Sequence, residues 1–242
     1  MKLSFVCMDC VRENDLNNHN FIELDIQDGG IYRSVCSKGH KVTNTLQNEQ
    51  FEVLFEMGAL ALLDGYSRES VSSFASALER FYEYSIKVLL LQKGINYEEI
   101  KKTWKMVARQ SERQLGAFYF LYLNEFKEVP PKLPDKCTTF RNDVIHKGYI
   151  PKRQEVISYA TEVYNYINLI SKTLRSECRE HIMTPFSYRQ KELMEKEVIG
   201  TLQSQVVPTM IDMALDDELF GKEPFEQALE DLKRRIGLGF VR

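Results

Sequence analysis

Residues 67–94 read SRESVSSFASALERFYEYSIKVLLLQKG, and this stretch decides the class of fold. Ser67 is a candidate N-cap and Gly94 a natural end for a helix. A helix of roughly 27 residues is about 40 Å long, so this segment alone predicts a fold organised around helices. The apolar stripe that supports it, at helical spacing, consists of Phe74, Leu78, Phe81, Ile86 and Leu89.

The flanking segments are patterned in the same way. Helical spacing of apolar residues continues through 46–65, 97–126, 135–147 and 153–179. Only 7 Pro and 12 Gly occur in 242 residues, while 43% of the chain is hydrophobic, which is ample for a buried core. The sequence therefore predicts a mainly α fold.

The first 45 residues differ from this pattern. Short apolar or alternating runs such as LSFVCMDC and GGIYRSVCSKGHKV are broken by Asn, Asp and Gly clusters, as small strands are. The sequence thus predicts a small β-rich module at 1–45, a helical bundle at 46–180 and a helical C-terminal extension at 181–242.

Four residues of the first module have the spacing of metal ligands. They form a C-x2-C pair, a gap of 25 residues and a C-x3-H pair. Zn²⁺ prefers four tetrahedral sulfur or nitrogen ligands, and a module of this size needs such an ion to fold. We therefore expect a structural zinc ribbon, in which no coordination position is left for catalysis, with the ligands Cys7, Cys10, Cys36 and His40.

The other Cys and His residues fit this site less well. His19 could replace His40 as a ligand, but it lies in an Asn-rich stretch where an exposed His is the better expectation. Cys137 and Cys178 have no partner pattern and are expected to be buried thiols.

The composition also limits where the chain acts. No run approaches the roughly 18 to 20 apolar residues that span a bilayer, and the N-terminal residues do not show an apolar core followed by a small-residue cleavage site. We therefore expect a cytoplasmic protein that does not enter a membrane.

A net charge of −3 argues against a protein that coats nucleic acid through its overall field. Residues 132–153 form a local basic island, with six basic residues against two acidic ones.

Residues 141–151, RNDVIHKGYIP, lie inside that island. Gly148 and Pro151 predict that a helix ends close to His146. On an unbroken helix Arg141 and His146 would be about 140° apart, so we expect one copy of the chain to splay them and two copies across a twofold axis to close a site. An Arg that holds a phosphate and a His that moves a proton suit attack by an RNA 2′-hydroxyl on its own phosphodiester without a metal.

This motif resembles the signature of the HEPN superfamily (higher eukaryotes and prokaryotes nucleotide-binding), in which an Arg, often followed by a polar residue, is separated from a His by four to six intervening residues. Arg141, Asn142 and His146 match it, and residues 74–90 resemble the long helix that precedes the motif, so the resemblance covers roughly 46–175. It implies a HEPN-like helical bundle, usually a homodimer with a composite active site, and metal-independent RNA cleavage in a toxin or phage-defence effector.

The resemblance assigns roles to individual residues. Arg141 would hold the scissile phosphate, His146 would move the proton, and Asn142 would orient it. The positive charges expected to guide the RNA backbone belong to Lys147, Lys152 and Arg153.

Two neighbouring residues have less certain roles. Of the charged residues in the preceding helix, Glu79 is the first candidate to enter the site, although exposed charges on a helix face need no such role. Some HEPN toxins carry a Tyr two residues after the His, where its nucleotide modification is possible. Here Tyr149 follows His146 by three residues, and packing beside the helix end is the better expectation.

Two alternatives remain open. The first is a non-catalytic HEPN and zinc-ribbon module that binds nucleic acid or protein, with the motif serving as a dimer seam. The second is a toxin held inactive by an antitoxin or another regulatory protein.

Overall fold

The computed structural model describes residues 1–13 and 21–239, which form two compact units. The first unit contains the described residues of Met1–Asn48, Phe186–Thr209 and Glu230–Arg242. The second contains Glu49–Pro185 and Met210–Leu229. The division at residues 45 and 180 stays a prediction from the sequence.

The strands lie before residue 47 and at 201–205, and the two longest helices lie between them. In chain order the elements are β1 (Lys2–Val6), α1 (Met8–Arg12), β2 (Phe21–Asp25), β3 (Ile31–Val35), β4 (Lys41–Leu46), α2 (Gln50–Leu63), α3 (Ser67–Gln92), α4 (Tyr97–Val107), α5 (Ser111–Phe126), α6 (Asp135–His146), α7 (Arg153–Glu177), a 3-10 turn (Arg179–His181), α8 (Thr184–Met194), β5 (Thr201–Gln205) and α9 (Phe225–Gly237).

The first unit contains two small sheets. Strands β1 and β2 pair antiparallel, with Phe5 opposite Ile22. In the second sheet β4 is the middle strand, antiparallel to β3 and parallel to β5. Strand β5 was not anticipated, because its sequence TLQSQ carries one apolar residue and shows no hydrophobic alternation.

Aromatic side chains fill the interior of the second unit. Helix α3 packs against α2, α5, α6 and α7. Phe81 of α3 is fully buried, with its ring centroid 5.1 Å from that of Phe51 in α2. Phe55 and Phe74 join the same two helices with ring centroids 4.7 Å apart. Burial of such rings is the main source of stability in a helical core.

The predicted fold class is confirmed, since a mainly helical chain carries small N-terminal sheets with the Cys and His cluster. The boundaries differ in detail. Leu46 ends β4 rather than beginning a helix, and α2 starts at Gln50. Ser67 is the first helical residue of α3 and Tyr66 its N-cap. Helix α6 ends at His146, as Gly148 indicated.

A membrane-spanning helix must be both long and apolar. Within residues 1–13 and 21–239, none of them has both the length and the apolar character that a bilayer span requires.

Candidate functional site

The first pair of candidate metal ligands comes from the junction of β1 and α1. Cys7 immediately follows β1, and Cys10 lies in the single turn of α1, where the Val11 N–H donates to the Cys7 carbonyl at 3.2 Å. Because a helical turn returns the chain to the same side after three residues, both thiols point to one place. Both are fully buried.

The second pair lies in the turn between β3 and β4. The Cys36 N–H donates to the His40 carbonyl at 3.0 Å, and the Gly39 N–H donates to the Cys36 carbonyl at 2.9 Å. Gly39 has a φ of 87°, a left-handed conformation that favours glycine. This tight turn brings the Cys36 thiol and the His40 ring to the same side of the hairpin.

The four ligand atoms meet in a group that could hold a metal ion. All lie within 4.8 Å of one another. The Cys10 and Cys36 sulfurs are 3.7 Å apart, and His40 Nδ1 lies 3.3 Å from Cys10 Sγ and 3.8 Å from Cys7 Sγ. A tetrahedral ion with Zn–S bonds of about 2.3 Å would separate its sulfur ligands by about 3.8 Å. The donor set and its spacing are consistent with zinc.

The environment shifts the pKa values of Cys10 and Cys36 in opposite directions. Burial raises the pKa of Cys10 to about 12. Burial also acts to raise the pKa of Cys36, but hydrogen bonds from the Lys38 and His40 backbone, together with those to the Cys10 and Cys7 thiols, lower that pKa to about 7. Apolar neighbours, among them Ile22 and Val42, complete the wall around the sulfurs. Three thiols gathered in an apolar wall suit a thiophilic cation.

Glu13 adds an outer contact that the sequence analysis missed. Its Oε1 lies 3.1 Å from His40 Nε2, on the ring nitrogen opposite the one that faces the sulfurs. Carboxylates commonly orient metal-binding imidazoles in this way. The only sequence signal was an acidic residue three positions after Cys10, which is too common to single out. His19, the alternative ligand, lies outside the described residues.

A second cluster joins α6 to α3. Arg141 Nη1 donates to Asn142 Oδ1 at 3.0 Å and lies 3.3 Å from His146 Nε2. Its other terminal nitrogen, Nη2, donates to Glu79 Oε1 of α3 at 2.9 Å. The structure therefore brings the three predicted catalytic residues together within a single chain and adds Glu79 to them.

The expectation that one copy of the chain would splay Arg141 and His146 is wrong. Helix α6 is continuous from Asp135 to His146, so the two Cα positions do differ by about 140° and about 7.5 Å along the axis. However, the flexible Arg side chain runs along the helix surface, and the imidazole at the last helical residue turns towards it. Ideal helix angles describe where side chains start and not how far an Arg reaches.

The contact between Arg141 and His146 has a defined direction. A guanidinium can only donate, so His146 Nε2 is the acceptor in this contact. The cluster is accessible: His146 is exposed, and the side chains of Arg141 and Glu79 retain 25% and 30% of their exposure. The imidazole supplies a group that can accept a proton, and the partly exposed guanidinium beside it supplies a group that can bind an anion.

The three expected RNA-guiding residues differ in their surroundings. The exposed Lys147 ammonium pairs with Asp143 at 2.7 Å. The Arg153 guanidinium donates to the Leu62 carbonyl at 2.5 Å, at the end of α2. Lys152 is exposed just before α7. Two of the three cations therefore already make contacts within the chain, and their role in RNA binding stays a prediction.

Tyr149 makes a contact of its own. Its hydroxyl lies 3.0 and 2.9 Å from the two carboxylate oxygens of Glu155. This hydrogen bond raises the pKa of Tyr149. The side chain thus packs beside the end of α6, as expected, with its ring near that of Phe140.

The remaining cysteines, Cys137 and Cys178, are buried thiols, as predicted.

In comparisons with known proteins, the chain matches no family model, no curated protein and no solved structure. The resemblance to the HEPN superfamily therefore rests on the motif and on the helices that carry it.

Proposed function

We propose that this chain is a metal-independent endoribonuclease of the HEPN type, with a zinc ion that stabilises its β-rich unit. The single observation that carries the nuclease proposal is the convergence of Arg141, Asn142 and His146 on an accessible surface, with Glu79 supporting the guanidinium. Phosphate binding and proton transfer need these two functional groups side by side.

The chemistry follows from the contacts. An RNA phosphate that binds Arg141 would replace its contact with His146, because the planar fork offers its N–H groups to the phosphate oxygens. The freed Nε2 would then accept the proton of the adjacent 2′-hydroxyl. The 2′-oxygen forms a bond to phosphorus, the bond from phosphorus to the 5′-oxygen breaks, and the products carry a 2′,3′-cyclic phosphate and a 5′-hydroxyl.

The leaving 5′-oxygen also needs a proton, and His146 cannot supply it while it accepts the proton of the 2′-hydroxyl. A second copy of the chain would contribute a second imidazole, which in its protonated form would give this proton to the 5′-oxygen, and the HEPN resemblance implies such a homodimer. The proposal therefore includes a pair of chains. The reason is the need for a second proton-transferring group and not the angle between Arg141 and His146 on the helix. Sedimentation of the purified protein, with and without RNA, tests for it.

The test of the nuclease is cleavage of single-stranded RNA in buffer free of Mg²⁺, with the protein loaded with Zn²⁺. We expect the wild type to produce cyclic-phosphate ends and His146→Ala to lose about 10²- to 10⁴-fold in rate, the usual contribution of a general base. Arg141→Lys keeps the charge but loses the fork, so we expect its rate to fall as well.

The matched control is His181→Ala, the same substitution in the 3-10 turn after α7. It should cleave at the wild-type rate. Equal rates for His146→Ala and His181→Ala, or no cleavage by the wild type, would reject the enzyme.

A second candidate function is a non-catalytic module that binds nucleic acid or protein. One observation favours it: Arg141 already satisfies its charge with Glu79 and its neighbours, as a purely structural surface network does. RNA binding without cleavage, unchanged in His146→Ala, would support this candidate.

A toxin restrained by an antitoxin is the regulated form of the nuclease. Expression of the wild type should then arrest growth, and Arg141→Ala should relieve the arrest. Harmless expression of the wild type would count against a toxin without deciding whether the purified protein cleaves RNA.

A further inference from the structure

Strand β5 directs three polar side chains at the first pair of metal ligands. Thr201, Gln203 and Gln205 alternate along the strand and therefore share one face of it. Each makes a hydrogen bond to a residue between Val6 and Asp9, the stretch that holds Cys7. These partners are more than 190 residues away in sequence, so the contacts depend on the tertiary fold alone.

The two glutamines act on the backbone on either side of Cys7. Gln205 Oε1 accepts the Val6 N–H at 3.0 Å, and Gln203 Oε1 accepts the Met8 N–H at 3.1 Å. Both amide groups donate to the Val6 carbonyl, at 2.6 Å from Gln205 and 2.7 Å from Gln203. The peptide groups that fix the direction of the Cys7 side chain are thus held by β5.

Thr201 extends the contact to the turn that carries Cys10. Its hydroxyl donates to Asp9 Oδ2 at 2.7 Å. With the two glutamines, this bond gives the C-x2-C turn a polar support in addition to its apolar neighbours.

The same strand also borders the second pair of ligands. Strand β5 pairs in parallel with β4, which begins at Lys41, the residue after His40. Gly200, just before β5, has a φ of 60°, and a Cβ atom there would lie 1.7 Å from the Lys41 carbonyl oxygen. Only glycine fits this close approach. Both pairs of ligands are therefore fixed against one strand.

From these contacts we infer that β5 is the outer support of the metal site and that metal binding and docking of this strand are thermodynamically coupled. The inference rests on the proposed zinc and is independent of the nuclease. Coupling is reciprocal: if the docked strand raises metal affinity, the bound metal stabilises the docked strand by the same factor.

The first arm of the test measures Zn²⁺ affinity by competition with a chelator. Gln203→Met and Gln205→Met keep the side-chain length and remove the amides. We expect the double variant to bind Zn²⁺ about 10- to 100-fold more weakly, the usual effect of losing outer contacts to a metal site. Gly200→Ala should weaken binding as well.

Two substitutions serve as matched controls. Gln154 is exposed in the first turn of α7, and Gln154→Met should leave affinity unchanged. An added Cβ at Gly237 in α9 would meet no atom within 4 Å, so Gly237→Ala controls for Gly200→Ala.

The second arm measures hydrogen exchange of backbone amides in the wild type with and without Zn²⁺. We expect amides of β5 to exchange faster once the metal is removed, while those of α3 stay protected. Wild-type affinity in the glutamine variants, or unchanged protection of β5 in the metal-free protein, would overturn the coupling. Failure of the wild type to bind Zn²⁺ would overturn the metal site itself, and this result is distinguishable from the other two.

Discussion

The metal-ligand cluster and the Arg141 cluster contain similar numbers of polar side chains but are built in different ways. Backbone turns place each pair of metal ligands, and the sulfurs are buried. Arg141 meets its partner Glu79 across 62 positions of sequence through long, partly exposed side chains. A ligand set fixed by local turns can be recognised from spacing, whereas a surface cluster is defined only once the helices have packed.

The largest effect is expected from removal of a metal ligand in the first unit. We expect Cys36→Ser to lose zinc and to unfold that unit, because structural zinc contributes about 10–16 kcal/mol in small domains. Hydrogen exchange of β4 amides and zinc stoichiometry measure the effect. Cys137→Ser, outside the cluster, should retain one zinc per chain. If β4 amides remain protected from exchange in Cys36→Ser, the sheets fold without the metal.

The second unit should instead depend on its aromatic core. Phe81 is fully buried, so we expect Phe81→Ala to reduce the free energy of unfolding of this unit by about 3–5 kcal/mol. Chemical denaturation followed by helical circular dichroism measures it, and zinc stoichiometry should not change. Phe120 is 77% exposed, so Phe120→Ala should stay within about 0.5 kcal/mol of the wild type. Similar losses in both variants would contradict this description of the core.

A buried acid should make the second unit sensitive to pH. Burial raises the pKa of Glu52 from 4.5 to about 8. Between these values the folded chain keeps a proton that the unfolded chain releases, so the free energy of unfolding falls as pH rises, by at most about 1.4 kcal/mol per pH unit. Glu52→Gln does not titrate and should lack this slope. Parallel pH profiles for the two proteins would exclude the effect.

The smallest change in stability is expected at the surface cluster. Glu79→Gln should cost less than about 1 kcal/mol, since partly exposed ion pairs contribute little. RNA cleavage should nevertheless fall, because Arg141 loses the carboxylate that positions it. The control is Glu83→Gln, one turn along α3, whose carboxylate pairs with Arg80 and Lys87 instead. Equal cleavage by the two variants would remove Glu79 from the site.

Much of this architecture could be predicted from the sequence. The helices follow from periodicity because their apolar stripes are long, and the metal ligands follow from spacing because two tight turns determine their positions. Strand β5 could not be predicted, since its inward side chains are polar and pair with a backbone nearly 200 residues earlier. The meeting of Arg141 and His146 was missed because helical angles say nothing about side-chain reach.

The parallel pairing of β4 with β5 has a consequence for how the chain is made. During synthesis, the residues of the helical unit up to Pro185 are made before the third strand of the N-terminal sheet. One edge of β4 therefore has no partner strand while some 150 residues between β4 and β5 are translated. A fragment that ends at residue 48 would keep all four metal ligands and lack the strand that completes their sheet.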